Sequence, residues 1–312
     1  MNELSIHEET PDFQSRPVEF PPRREFHAQD VEDLFRLLGV DPASIEPRLR
    51  EAMGYLGSYS ETMNDESRAR AMADVMASYC SRVSSPNGLS KEGWRYVNLA
   101  SMLSDIGKVG PRQERIDDVN HLITALYAKS EKFSPDDSLS HFLDHFFPSQ
   151  KYEMQRVLVN DLGLELTMSM RSFWDAHAQW TLDHLKDSGV PNEVALTAAA
   201  HHLLGGDKAN PRLNELPIVE KTTGTLRGFG IERPIDQREI WVVLLDKYEA
   251  NMQRGGATHE EAITWLRTYL ETNQMLATLP RLKGLFLSCL DDLDAARPLG
   301  VQVGRDEESL AA

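Results

Sequence analysis

"WRYVNLASMLSDIGKVG", residues 94–110, reads as an apolar helix that stops abruptly. Trp94, Val97, Leu99, Met102 and Leu103 supply its apolar positions, and the run closes on Ser104, Asp105, Gly107 and Lys108. Glycine suits the left-handed turn that ends a helix, and lysine suits the negative end, so one reading is an ordinary helix stop. The other reading is a His-Asp metal corner in which Ser104 stands where the histidine would be. The segments on either side bear on that choice.

Upstream, "AQDVEDLFRLLGV" places Val31, Leu34, Leu37 and Leu38 on one helical face. "DPASIEPRLREAMGYLGSY" predicts a helix that restarts after Asp41-Pro42, and "ESRARAMADVMASYCSRV" predicts another, closed by "SSPNG". Downstream, helical spacing continues through "RIDDVNHLITALYAKS", "DSLSHFLDHFF" and "QKYEMQRVLVNDLG". It resumes in "SMRSFWDAHAQWTLDHLKDSG", "PNEVALTAAAHHLLGG", "REIWVVLLDKYEANMQ", "THEEAITWLRTYLETN" and "LPRLKGLFLSCLDDLDAA". Strand character is confined to "TTGTLRGFGIERP", a small hairpin or a loop. The expected class is all-α. Residues 1–28 read as a flexible arm, 29–87 as an N-terminal helical region, 88–295 as one helical domain and 296–312 as a disordered tail.

The chain has 312 residues, 41% of them apolar and with a net charge of -16, a composition that fits a globular protein with an ample core. That charge, with no basic stretch interleaved with aromatics, argues against gripping nucleic acid through its phosphates. A small anion remains a compatible ligand, because a local pocket can be positive in an acidic protein. No run approaches the roughly 18 apolar residues of a membrane span, and the N-terminus lacks the pattern of a signal peptide. Cys80 and Cys289 lie far apart and give no disulfide framework, which suits a reducing cytoplasm. The expectation is a cytoplasmic protein with no membrane partner.

Ten histidines are present, and His177, His201 and His202 stand out. His177 lies in a helix that ends at "KDSG", and Pro191 opens the next, so a hairpin of the two can bring the far end of the second back to His177. Neighbours on a helix point about 100° apart, so His201 and His202 can share one ion only near a helix end, which "HHLLGG" supplies. Imidazoles with carboxylates such as Asp105 and Asp246 suit iron, manganese or zinc. "HFLDH" offers a second metal-competent spacing, His141 and His145, though Phe142, Leu143, Phe146 and Phe147 around it also read as an ordinary packed helix.

In order, these segments resemble the HD-domain phosphohydrolases, and within them the HD-GYP branch. "NLASMLSDIGKVG" is similar to the His-Asp-x-Gly-Lys segment, and "LTMSMRSFWDAHAQWTLDHL" to the next helix, whose ligand would be His177. "ALTAAAHHLLGGDKANP" is similar to the His-His-Glu…Gly-Tyr-Pro stretch, with His201 and His202 as the pair and Ala209, Asn210 and Pro211 at the signature. "VVLLDKYEANMQRGGATHEEAI" resembles the helix of the last aspartate ligand, here Asp246. The departures are Ser104 for histidine, Leu203 for glutamate, no histidine in "ETMNDESRAR", and a link over 111–165 long enough to be a helical insertion, expected to cap the site. The resemblance implies an HD-type helical bundle and a divalent transition metal, about one ion per chain. Asp105, His177, His201, His202 and Asp246 would be its ligands, and Asp105 and Lys108 would serve in catalysis. It implies weak hydrolysis of a cyclic dinucleotide or related phosphodiester through metal-activated water. The alternative is an inactive scaffold that senses a nucleotide or meets a signalling protein.

Overall fold

The computed structural model describes residues 28–37, 39–57, 89–113, 118–130, 133–149, 151–204, 219–220, 223–254 and 256–296. The N-terminal arm, "ETMNDESRAR", Cys80, the Ala209-Asn210-Pro211 signature position and the C-terminal tail lie outside them.

The described residues are mostly helical, as the periodicity predicts. In chain order the helices are α1 (Ala28–Leu37), α2 (Pro47–Gly57), α3 (Lys91–Leu103), α4 (Asp118–Ser130), α5 (Leu139–Phe146) and α6 (Lys151–Arg156). They continue with α7 (Met170–Leu185), α8 (Asn192–Ala199), α9 (Gln237–Glu249), α10 (His259–Thr272), α11 (Gln274–Thr278) and α12 (Pro280–Ala296). Among the described residues, no helix is long and apolar enough to cross a membrane.

Two local readings are refined. The helix expected after Asp41-Pro42 is only a 3₁₀ turn, Pro42–Ser44, capped by the Asp41 carboxylate. Ile45 is extended and Glu46 precedes a proline, which disfavours helical backbone there, so α2 begins at Pro47. "TTGTLRGFGIERP" is a hairpin: β2 (Thr225–Gly228) pairs antiparallel with β3 (Ile231–Pro234), and β1 (Val219–Glu220) pairs with β2. Phe229 and Gly230 both have positive φ, 50° and 76°, the backbone of a two-residue turn that matches strand twist.

One hydrophobic cluster runs from Val31 to Leu293. Helix α3, capped by Ser90, packs on α8 and α9, and Trp94 meets Trp241 with ring centroids 5.4 Å apart. The buried Glu239 carboxylate on α9 accepts from Arg233 on β3 and from Thr197 on α8, so the hairpin and both helices are tied at one point. Removing Arg233 would take from the buried Glu239 its one ion-pair partner among the described residues, a loss of about 3–5 kcal/mol. Between Asp118 and Asp161 the described residues form α4, α5, α6 and a π turn, Val157–Asp161, and α5 is stitched to the start of α7: Leu139 N–H donates to the Met168 carbonyl at 2.9 Å and Met170 N–H to that of Asp137 at 2.8 Å.

Candidate metal centre

Asp105 follows α3 directly and opens a 3₁₀ turn, Ile106–Val109, that lies flat against α7. The contact is close enough to dictate a residue. A Cβ on Gly107 would sit 2.0 Å from the His177 carbonyl oxygen and 2.5 Å from the Thr181 nitrogen. Gly107 N–H instead donates to Thr181 Oγ1 at 3.0 Å, and that hydroxyl donates to the Ser104 carbonyl at 2.9 Å. The turn is thereby registered on α7 with Asp105 beside His177. From the other side, α8 packs on α7 and ends in a second 3₁₀ turn, Ala200–His202, which brings both histidines of the pair to the same place.

The three imidazoles converge. His177 Nε2 lies 2.9 Å from His201 Nε2 and 3.1 Å from His202 Nε2, and Asp105 Oδ1 lies 3.1 Å from His177 Nε2 and 3.6 Å from His201 Nε2. The outer nitrogens assign the protons. His177 Nδ1 bonds the Trp174 carbonyl and His201 Nδ1 bonds the Ala198 carbonyl at 2.7 Å. A carbonyl only accepts, so each Nδ1 carries the hydrogen and each Nε2 of a neutral ring presents a lone pair. His202 Nδ1 faces Asp175 Oδ1 at 3.4 Å, which turns its Nε2 toward His177. Three lone pairs and a carboxylate oxygen thus meet with no donor among them.

Burial opposes filling that gap with a proton. His201 is 1% exposed, and desolvation, then the neighbouring His177, lowers its pKa to about 4. Desolvation pushes His202 well below the ordinary histidine value, and His201, His177 and Lys247 act the same way. Asp105 and His177 are each 3% exposed, whereas the His202 side chain is 28% exposed, so the cluster meets solvent at His202. Tyr127 of α4 closes the opposite side, its ring edge-on to His177 at 5.7 Å and its hydroxyl donating to the Phe173 carbonyl at 2.9 Å. Burial raises the Tyr127 pKa well above 10, and the charges of Asp175 and Asp105 add to this.

Of the residues singled out in the sequence, His177, His201 and His202 form one potential metal-holding group, and Asp105 touches it. Lys108 Nζ pairs with the other Asp105 oxygen at 2.7 Å. Asp246 is not among the grouped donors, although its charge reaches His201 and opposes that group's lowered pKa. Ser104 donates its hydroxyl to the Ser101 carbonyl at 2.9 Å, and Leu203 is buried apolar. His141 Nδ1 meets Asp137 at 3.2 Å, and neither His141 nor His145 joins the cluster. Sequence reading missed Asp175 and Thr181, and it gave Gly107 the left-handed turn that Gly110 takes, with φ of 97°, whereas Gly107 is there for the close approach to α7. Asp175 carried one signal, a carboxylate inside the otherwise apolar-rich α7 two residues before His177. No family model, curated protein or solved structure matches the chain.

Proposed function

We propose that the chain is a metal-dependent phosphohydrolase of the HD type, holding about one divalent transition ion on Asp105, His177, His201 and His202. The observation that carries this reading is the convergence of three imidazole lone pairs and a carboxylate oxygen in a buried spot without a donor. The donor set suits iron, manganese or zinc.

When bound, the ion supplies Lewis acidity and lowers the pKa of a coordinated water. The protein's own groups do the rest. Carbonyls of Trp174 and Ala198 hold the inner histidines in the ligating tautomer, and Asp175 orients His202. Lys108 neutralises Asp105 and stands next to the site as a point charge for a phosphate oxygen. The resemblance makes a cyclic dinucleotide or related phosphodiester the substrate class. A second reading, binding without turnover, draws on Ser104, Leu203 and the missing Gly-Tyr, which stand where the family has histidine, glutamate and its signature.

Elemental analysis of protein purified without tag or chelator tests the metal. About one transition ion per chain is expected, and His202→Ala should cut it at least tenfold. Absence of any stoichiometric metal from the wild type would overturn the proposal. With manganese or iron supplied, cyclic di-GMP hydrolysis should be slow; tight binding with no turnover selects the receptor reading, and fast multiple turnover refutes the loss of a second metal position.

A further inference from the structure

Of the four side chains of the centre His202 is the most exposed, and Lys247 and the Tyr269 ring lie near it together with the Asp175 carboxylate. In a chain of net charge -16, arginines such as Arg112, Arg233 and Arg238 are engaged by carboxylates. Lys247 and Arg171 have no carboxylate within 4.0 Å among the described residues. Lys247 lies on α9, which packs against the 3₁₀ turn of the histidine pair. Its Nζ stands 5.4 Å from the centroid of the Tyr269 ring. That ring is fixed twice: its hydroxyl donates to the Leu204 carbonyl at 2.6 Å, two residues beyond His202, and Trp265 stacks on it at 5.2 Å with planes 7° apart. An aromatic rail therefore holds the ammonium beside the exposed edge of the centre. The charge of Lys247 reaches His202, and Arg171 lies one helical turn before Asp175 on α7, the carboxylate that meets His202.

We propose that Lys247, supported by Arg171, is the positioning residue that receives an oxyanion of the ligand at the His202 mouth, so that a phosphoryl group spans from the metal to Lys247. The inference rests on the metal-centre reading above for the inner end of that span. A half-buried cation with no carboxylate within 4.0 Å among the described residues is incompletely solvated, and a phosphate oxygen supplies both an opposite charge and an acceptor. Lys108 cannot serve this end of the ligand, because its ammonium is held against Asp105 on the inner side. The two lysines thus serve different ends of the ligand, Lys108 beside Asp105 and Lys247 at the His202 mouth.

The test is calorimetric binding of inorganic phosphate to the full chain, with manganese loaded and after metal removal, alongside elemental analysis of each sample. Wild type is expected to bind phosphate in a salt-sensitive way. Lys247→Met should weaken that binding about tenfold or more with metal content unchanged, because a charge-assisted hydrogen bond is lost. Lys247→Arg should stay within about threefold of wild type, since a cation is retained. Phosphate affinity unaltered in Lys247→Met, or no phosphate binding by the wild type in either state, overturns the inference. Wild type that holds no metal but binds phosphate through Lys247 sinks the metal reading and leaves the anion site standing. If Lys247→Met fails to fold, Arg171→Gln on an exposed residue decides: a loss of about threefold supports the mouth, and no loss overturns it.

Discussion

Gly107 and Gly284 are both glycines inside helical turns, yet their surroundings demand opposite outcomes on substitution. At Gly107 a methyl group would meet two backbone atoms of α7, at 2.0 and 2.5 Å, and neither can yield without moving the helix that carries His177. Gly107→Ala should therefore cost about 3 kcal/mol or more in urea unfolding and lower metal content with it. At Gly284, inside α12, nothing lies within 4 Å of the added carbon, so Gly284→Ala should raise stability by about 0.5–1 kcal/mol. Equal effects at the two positions would refute the close contact on which the Asp105–His177 geometry depends. The contrast also marks what a sequence can carry at this scale. Asp105, His177, His201 and His202 could be picked out because metal chemistry needs those residue types and their order is informative. Gly107 and Thr181 could not, since their roles exist only where segments 74 residues apart in sequence touch. Asp175 was passed over because its partner, His202, lies on another helix.

Periodicity conveyed the elements well where an apolar stripe faces one neighbour. Trp94, Val97, Met102 and Leu103 of α3 are all buried as the pattern requires. It failed at Asp41–Pro47, where a second proline, not the apolar spacing, decides where α2 begins. It left the hairpin open because four-residue strands are too short for a period to register. Nor could spacing say what the long segment between Pro111 and Leu166 does. The structure joins its first helix to the site: Tyr127 of α4 is 5% exposed, stacks on Phe173 at 4.8 Å and edges onto His177. Tyr152 of α6, in the same segment, is 82% exposed. Tyr127→Ala should cost about 3–5 kcal/mol through the cavity it leaves, while Tyr152→Ala should change stability by no more than about 0.5 kcal/mol. Denaturant midpoints of the two variants check this, and a mild Tyr127→Ala would mean that α4 contributes little to the histidine centre.

Among the described residues several parts of the chain meet at the C-terminal end of α7, and a buried histidine there links stability to pH. His184 Nε2 donates to the Gly110 carbonyl at 2.9 Å, while Arg112 forks onto Glu46 at 2.9 and 2.8 Å and donates to the Asp183 carbonyl. The N-terminal helices, the 3₁₀ turn after Asp105 and α7 therefore meet at one junction. Desolvation lowers the His184 pKa from 6.5 to about 4; the Gly110 hydrogen bond opposes this, Arg112 adds to it, Glu46 opposes it and Arg48 adds to it. In the unfolded chain the same imidazole takes a proton near 6.5, so between the two values the unfolded state binds more protons than the folded one. Stability from this group is complete above about pH 6.5 and drains as pH falls toward 4, by up to roughly 3 kcal/mol. The raised pKa of Asp183, which burial pushes up, acts in the opposite sense, since its folded form favours the proton. His184→Gln isolates the histidine, because a glutamine amide can still donate to Gly110 but does not titrate. Urea unfolding of wild type and variant at pH 4, 5, 6 and 7 should show wild type gaining on the variant as pH rises. The titrations of His177, His201 and His202 and of Asp183 cancel between the two proteins. A difference that stays flat across that range would mean His184 is already solvated in the folded chain and the junction is looser than its hydrogen bonds require.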